Sequence, residues 1–139
     1  MPLFVLDTDT FSLFLKGQPQ VCANVLGQPL TLTTTTIITV EEELSGWYTL
    51  LRRSKNPQSL ARTYHRMTET VEALACFRLL SFTEEAIARF ESLRKQHPRL
   101  GRNDLRIAAI TLENQATLVT RNRIDFEQIE SLALVDWSV

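Results

Sequence analysis

With 139 residues, 44% of them hydrophobic and only four glycines and five prolines, the chain can bury a core without staples and reads as one globular domain over residues 1–139. Its cysteines, Cys22 and Cys76, have neither C-x-x-C spacing nor a partnering histidine cluster, which excludes a structural zinc site and fits small core residues in a reducing compartment. No run reaches membrane-spanning length, no signal-peptide pattern opens the chain, and the net charge of −1 does not announce a nucleic-acid binder, so a soluble cytoplasmic protein is expected.

Leu3-Phe4-Val5-Leu6 is a continuous apolar run that suits a parallel strand buried on both faces, and it stops at Asp7-Thr8-Asp9-Thr10. Helical spacing resumes at Phe11. Asp7 therefore falls on the strand end, too early to cap, while Thr8 or Asp9 is placed to cap the helix. Gly17 to Pro19 makes a turn, Val21 to Leu26 a short helix, Gly27 to Pro29 a second turn, and Leu30-Thr31-Leu32-Thr33-Thr34 alternates as a second strand. Thr39-Val40-Glu41-Glu42 reads as a capping box opening a helix with the stripe Val40, Leu44, Trp47, Tyr48 and Leu51; Glu42 is then either part of that cap or a site residue near a strand end.

Pro57 restarts the chain into an amphipathic helix over about residues 58–75, with Leu60, Tyr64, Met67, Val71 and Leu74 on one side, so that two helices follow each other as a hairpin. Residues 79–82 form a strand, and Thr83-Glu84-Glu85-Ala86 opens the next helix with acids in its first turn. The segment Leu100-Gly101-Arg102-Asn103-Asp104-Leu105 then begins an almost wholly apolar helix. Asn103 is a good N-cap, Asp104 sits at the positive helix end, and only Arg106 and Thr111 are left for water. Residues 117–120 are a further strand that stops at Arg121-Asn122-Arg123-Ile124-Asp125, and residues 133–135 close the sheet.

Strands alternating with helices predict an α/β fold, a mostly parallel central sheet with helices on both faces. In such a sheet the ligand crevice lies beyond the carboxyl ends of the strands. Asp7, Glu42, Asp104 and either Asn122 or Asp125 all fall on that rim. Acids gathered there repel one another unless a cation joins them, and oxygen donors without imidazole or thiolate select Mg²⁺ or Mn²⁺ over zinc. Such an ion activates water and neutralises phosphoryl charge, the chemistry of phosphodiester hydrolysis. The cation-rich segments, Arg52 to Arg66 and residues 89–106, are then either solvated helix faces or flanks for a phosphate polymer. His65 and His97 lie in polar, surface-like contexts.

The ordered set L-D-T-D at Leu6, T-V-x-E at Thr39 with Gly46 four residues after the acid, N-D-L-x-I-A-A at Asn103, and V-T-x-N-x-x-D-F at Val119 resembles the PIN-domain ribonucleases, specifically the VapC-type toxins of toxin–antitoxin pairs. The likeness runs from about Leu3 to Trp137. It implies a three-layer α/β/α sandwich, Mg²⁺-dependent cleavage of RNA, a cognate antitoxin and a homodimer. By the resemblance Asp7, Glu42 and Asp104 are metal-binding acids, Asp125 or Asn122 completes the site, and Thr8 and Thr120 support it. Asp9 departs from the family's usual Asn, and Glu42 is preferred to Glu41 and Glu43 by alignment. The helical hairpin from Trp47 to Ala75, with Trp47, Tyr48 and Tyr64, is either the antitoxin surface or an internal packing seam. Two rivals remain. Asp7-Thr8-Asp9-Thr10 approximates the opening of aspartate-nucleophile phosphatases, which also need a positioned lysine from among Lys16, Lys55 and Lys95; and a catalytically inactive module would bind RNA or protein without cutting.

Overall fold

The computed structural model describes residues 2–139. Its elements are β1 (Phe4–Leu6), α1 (Thr8–Leu15), α2 (Pro19–Leu26), a 3-10 turn (Leu30–Leu32), β2 (Thr33–Thr36), α3 (Ile37–Arg53), α4 (Pro57–Ala75), β3 (Arg78–Leu80), α5 (Glu84–Gln96), α6 (Arg102–Glu113), β4 (Thr117–Val119), α7 (Arg123–Phe126) and β5 (Ala133–Val135). The strands form a five-stranded, all-parallel sheet in the order β3-β2-β1-β4-β5. Side chains alternate across it, as the pleat requires. Val5 and Leu118 face a core built with α5 and α6, including Phe90, Leu105 and Ile107. Leu6 and Val119 face the opposite core, with Phe11, Val21, Val25, Leu74, Phe77 and Trp137. The expected α/β/α layering is therefore present, and helices cover both faces.

Where β1 meets β4 the chain reverses its direction of travel across the sheet: the connections after β1 step to β2 and β3, and the later ones to β4 and β5. This switch point opens a crevice at the strand carboxyl ends. Register aligns Leu6 with Val119, so the residues just after both strands are brought side by side.

Several local expectations are corrected. The second strand lies at Thr33–Thr36, not Leu30–Thr34, because Pro29 has no amide to donate and starts a 3-10 turn, while hydroxyls tie the threonines to β1. Thr34 Oγ1 donates to the Phe4 carbonyl at 2.9 Å and Thr35 Oγ1 to that of Leu6 at 3.0 Å. The strand runs straight into α3. Its N-cap is Thr36, which accepts from the Thr39 amide at 3.2 Å, rather than Thr39 itself. Glu42 consequently sits beyond the first turn of α3, where it caps nothing. Replacing Thr36 with Ala is expected to cost about 1 kcal/mol in urea-induced unfolding, the usual effect of losing such a cap.

Other differences concern burial. Thr111, expected to face water, is wholly buried and donates to the Ile107 carbonyl at 2.8 Å, so α6 is apolar or self-satisfied around nearly its whole circumference. Cys76 is exposed rather than a core residue, and Cys22 is half-buried. On α4 the anticipated apolar side stays largely in solvent at Leu60, Tyr64 and Val71, and only Leu74 of that stripe is fully buried. Polar and cationic contacts also join the hairpin: Trp47 Nε1 donates to Thr70 Oγ1 at 2.9 Å, and the Arg66 guanidinium lies 5.2 Å from the Trp47 ring centre. Among the described residues, no helix is long and apolar enough to cross a membrane.

Candidate active site

Asp7 is both the end of β1 and the N-cap of α1. Its amide continues the strand ladder by donating to the Val119 carbonyl at 3.1 Å, and its Oδ1 accepts from the Thr10 amide at 2.8 Å. The expectation that Asp7 stands too early to cap is thus corrected, and neither Thr8 nor Asp9 is the cap: both lie in the first turn of α1. The strand enters the helix without a loop, which fixes the carboxylate between two rigid elements. Asp7 is buried, and that burial pushes its carboxyl above the ordinary range, against the opposing hydrogen bonds of the Thr120 hydroxyl and the Thr10 amide.

Asp104 enters from the far side of the sheet's rim. The N-cap of α6 is Gly101 rather than Asn103, whose side chain instead accepts from Arg106 Nη1 at 2.7 Å. Since Gly101 offers no side-chain cap, Asp104 occupies the first turn as expected, and its carboxylate hangs over the helix start; a Cβ on Gly101 would lie 3.6 Å from Oδ2. The dipole favours the ionised acid there. Desolvation and three neighbouring acids outweigh it. The Asp104 carboxyl is pushed up to about 6, first by burial and then by Asp7, Glu42 and Asp125.

Glu42 reaches the same place from the second turn of α3. Thr8 Oγ1 donates to Glu42 Oε1 at 2.6 Å, and the Thr8 and Thr39 hydroxyls lie 2.9 Å apart, so two threonines fix the glutamate's direction. The neighbouring acid, Glu43, turns away and accepts from Ser12 at 2.7 Å. Of the three successive acids that sequence alone left open, only Glu42 lines the cleft shared with Asp7 and Asp104; Glu41 and Glu43 do not. Asn122 caps α7, with its amide donating to Thr120 Oγ1 at 3.0 Å and its Nδ2 to Asp125 Oδ2 at 3.0 Å. Both candidates for the fourth corner are therefore engaged with each other: Asn122 faces the opening and Asp125 stands behind it.

Asp7, Thr8, Glu42, Asp104 and Asn122 line one open cleft of about 500 Å³. Asp125 does not line it, yet is near enough to raise the Asp104 pKa. Two further lining residues, Asp9 and Arg121, had not been singled out as site residues. A signal was available: opposite charges follow shortly after the apolar strands β1 and β4, and neighbouring parallel strands bring such positions together.

Among the described residues no three Asp, Glu, His or Cys side chains close tightly enough to enclose an ion by themselves. The donor set is consequently open and made of carboxylates, which suits a hard cation that keeps several waters and shares its coordination with substrate phosphate oxygens. It does not suit a dedicated cage.

The raised Asp104 pKa has a stability consequence in metal-free protein. The folded state holds this proton up to about pH 6, whereas the unfolded chain releases it near the ordinary 3.8, so the native state binds more protons between these values. Stability from this group is therefore greatest in acid and falls as pH rises through about 6. In thermal melts with chelator, the melting temperature of Asp104→Asn minus that of wild type is expected to grow between pH 4 and pH 7. A constant difference would show that Asp104 is not destabilised by its setting.

No protein-family model matches the chain. Its sequence is 28% identical over 143 aligned positions to Ribonuclease VapC1 of Haemophilus influenzae strain R2866, with 98% of each chain covered. The fold is similar to a chain of FitAcB from Neisseria gonorrhoeae, at TM-score 0.75 and 27% identity over 96% of this chain and 97% of that one. It is also similar to a chain of VapBC-1 from nontypeable Haemophilus influenzae, at TM-score 0.76 and 24% identity over 99% of each. Sequence likeness along nearly the whole chain, the shared parallel-sheet fold and the ordered acid-bearing motifs together make the protein similar to the VapC-type ribonucleases.

Proposed function

We propose that the protein is a metal-dependent endoribonuclease, the toxin of a toxin–antitoxin pair. The observation that carries this reading is the convergence of Asp7, Glu42 and Asp104, from three separate elements, on one open cleft at the sheet's switch point. Asp7 and Asp104 would hold a Mg²⁺ or Mn²⁺ ion, with Glu42 beside them and Asp125 behind Asn122. When bound, the ion supplies an activated water and neutralises charge on the phosphoryl group. The chain's own part is orientation. Thr8 and Thr39 aim Glu42, Thr120 steadies Asp7 and Asn122, and the α1 cap locks Asp7 in place.

The relatives support the same reading: one is named a ribonuclease, and the structural neighbours include VapBC and toxin–antitoxin complexes. An antitoxin partner follows from that kinship. The hairpin of α3 and α4 is the surface we assign to it, since Tyr48, Leu60, Tyr64 and Val71 leave apolar area in solvent that the chain itself does not cover. A homodimer remains part of the proposal. The phosphatase alternative loses its footing here, because no lysine lines the acid cleft and Lys16 lines a different one beside Trp47 and Arg66.

The test is direct. An end-labelled single-stranded RNA is incubated with the protein in Mg²⁺, in Mn²⁺ and in chelator, beside a DNA of the same sequence. Cleavage of RNA that stops in chelator is expected. Undiminished cleavage in chelator, or cleavage confined to DNA or to double strands, contradicts the assignment. Sequencing the 5′ ends formed after brief induction in cells then identifies the substrate.

A further inference from the structure

The acid cleft has one cationic lining residue among those described, Arg121, and the sequence resemblance assigns it no role. It extends from the loop after β4, and its partner Asp9 comes from the first turn of α1. Arg121 Nε donates to Asp9 Oδ2 at 2.8 Å and Nη2 to Asp9 Oδ1 at 3.1 Å, a two-pronged pair. The remaining N–H groups of the guanidinium have no protein partner among the described residues.

Three features separate this pair from an ordinary surface bridge. Both side chains remain about half exposed, at 49% and 52%, so the pair contributes little stability and leaves the guanidinium reachable from water. Its planar fork, already oriented by one carboxylate, suits the oxygens of a phosphate, which it can bind through the unused donors. Finally, it borders the same opening as Asp7, Glu42 and Asp104, where a floor of acids otherwise repels a polyanion. By contrast Arg123, two residues on, is directed away from Asp9 and bonds Glu127 at 3.2 Å.

Building on the nuclease reading, we propose that Arg121 binds a backbone phosphate of single-stranded RNA next to the bond that is cut, and that Asp9 is the positioning residue that holds its guanidinium at the cleft's edge. The residue thereby sets where the strand lies across the acids.

The experiment uses full-length protein carrying Asp104→Asn, in chelator, with a fluorescein-labelled single-stranded oligoribonucleotide followed by anisotropy from about 50 to 300 mM KCl. Adding Arg121→Gln is expected to weaken binding about tenfold and to reduce the slope of log affinity against log salt by about 0.7, the value for one single-strand phosphate contact. Arg121→Lys restores the slope, because the charge is kept. In the wild-type background, Arg121→Gln raises KM for Mg²⁺-dependent cleavage more than it lowers kcat, and its melting temperature stays near wild type. An unchanged salt slope, or an unchanged KM, overturns the proposal while cleavage by wild type continues. If wild type itself cleaves no RNA, the underlying nuclease reading fails instead.

Discussion

The Asp104→Asn protein is expected to cleave RNA in Mg²⁺ about 10²–10³-fold more slowly than wild type, while melting no lower than wild type does. The two expectations come from the same geometry. Asp104 makes no hydrogen bond that holds α6 together; the helix starts from Gly101 and is fixed by Leu105, Ile107, Ala108, Ala109 and Ile110 in the core. Its carboxylate is instead a source of repulsion with Asp7, Glu42 and Asp125. A charge that harms the empty fold and is indispensable to the loaded site belongs to function rather than stability. Initial rates on a labelled RNA, paired with thermal melts in chelator, measure both. A variant that loses activity only in proportion to a lower melting temperature contradicts the argument.

Asp7 gives the second large effect, and here two substitutions behave differently. Asparagine keeps an acceptor for the Thr10 amide and is itself a good N-cap, so Asp7→Asn is expected to fold while losing cleavage by about 10²-fold or more. Alanine removes the cap as well. Asp7→Ala is therefore expected to lose the same activity and, in addition, about 1–2 kcal/mol in urea unfolding, because the cap is lost and a buried amide is left without its partner. Equal stabilities for the two variants would mean that the α1 cap is immaterial. Retained cleavage in Asp7→Asn would remove Asp7 from the site.

How much of this was legible in the sequence depends on the range of the interaction involved. The α/β/α layering followed from the alternation of short apolar runs with helical stripes, which is local information. Asp104 in a first helical turn and the acids Glu84 and Glu85 in the first turn of α5 were equally local, and both are seen. Two of the misplaced caps share one cause: in Thr36-Ile37-Ile38-Thr39 two threonines compete, and only the hydroxyl ties between β2 and β1 show that the strand extends to Thr36. The same holds for Asp7, whose cap exists because β1 feeds α1 without a loop. Asp9 with Arg121 leaves only a weak trace in the sequence, charges of opposite sign after two apolar runs, which becomes a pair once those strands are known to be neighbours. They stand 112 residues apart, and only the adjacency of β1 and β4 brings them together. The exposed stripe of α4 shows the opposite failure. Periodicity reports that Leu60, Tyr64 and Val71 share a face, but not whether this chain or a partner covers it.

The account rests on Asp7 and Asp104 sharing one divalent ion, and anomalous diffraction from crystals of the wild-type protein soaked in Mn²⁺ tests that most directly. A single strong peak between the two carboxylates, beside Glu42 and absent from Asp104→Asn crystals, is the predicted result. A map with no peak in this cleft, or with its peak elsewhere while RNA cleavage still requires Mn²⁺, would contradict it.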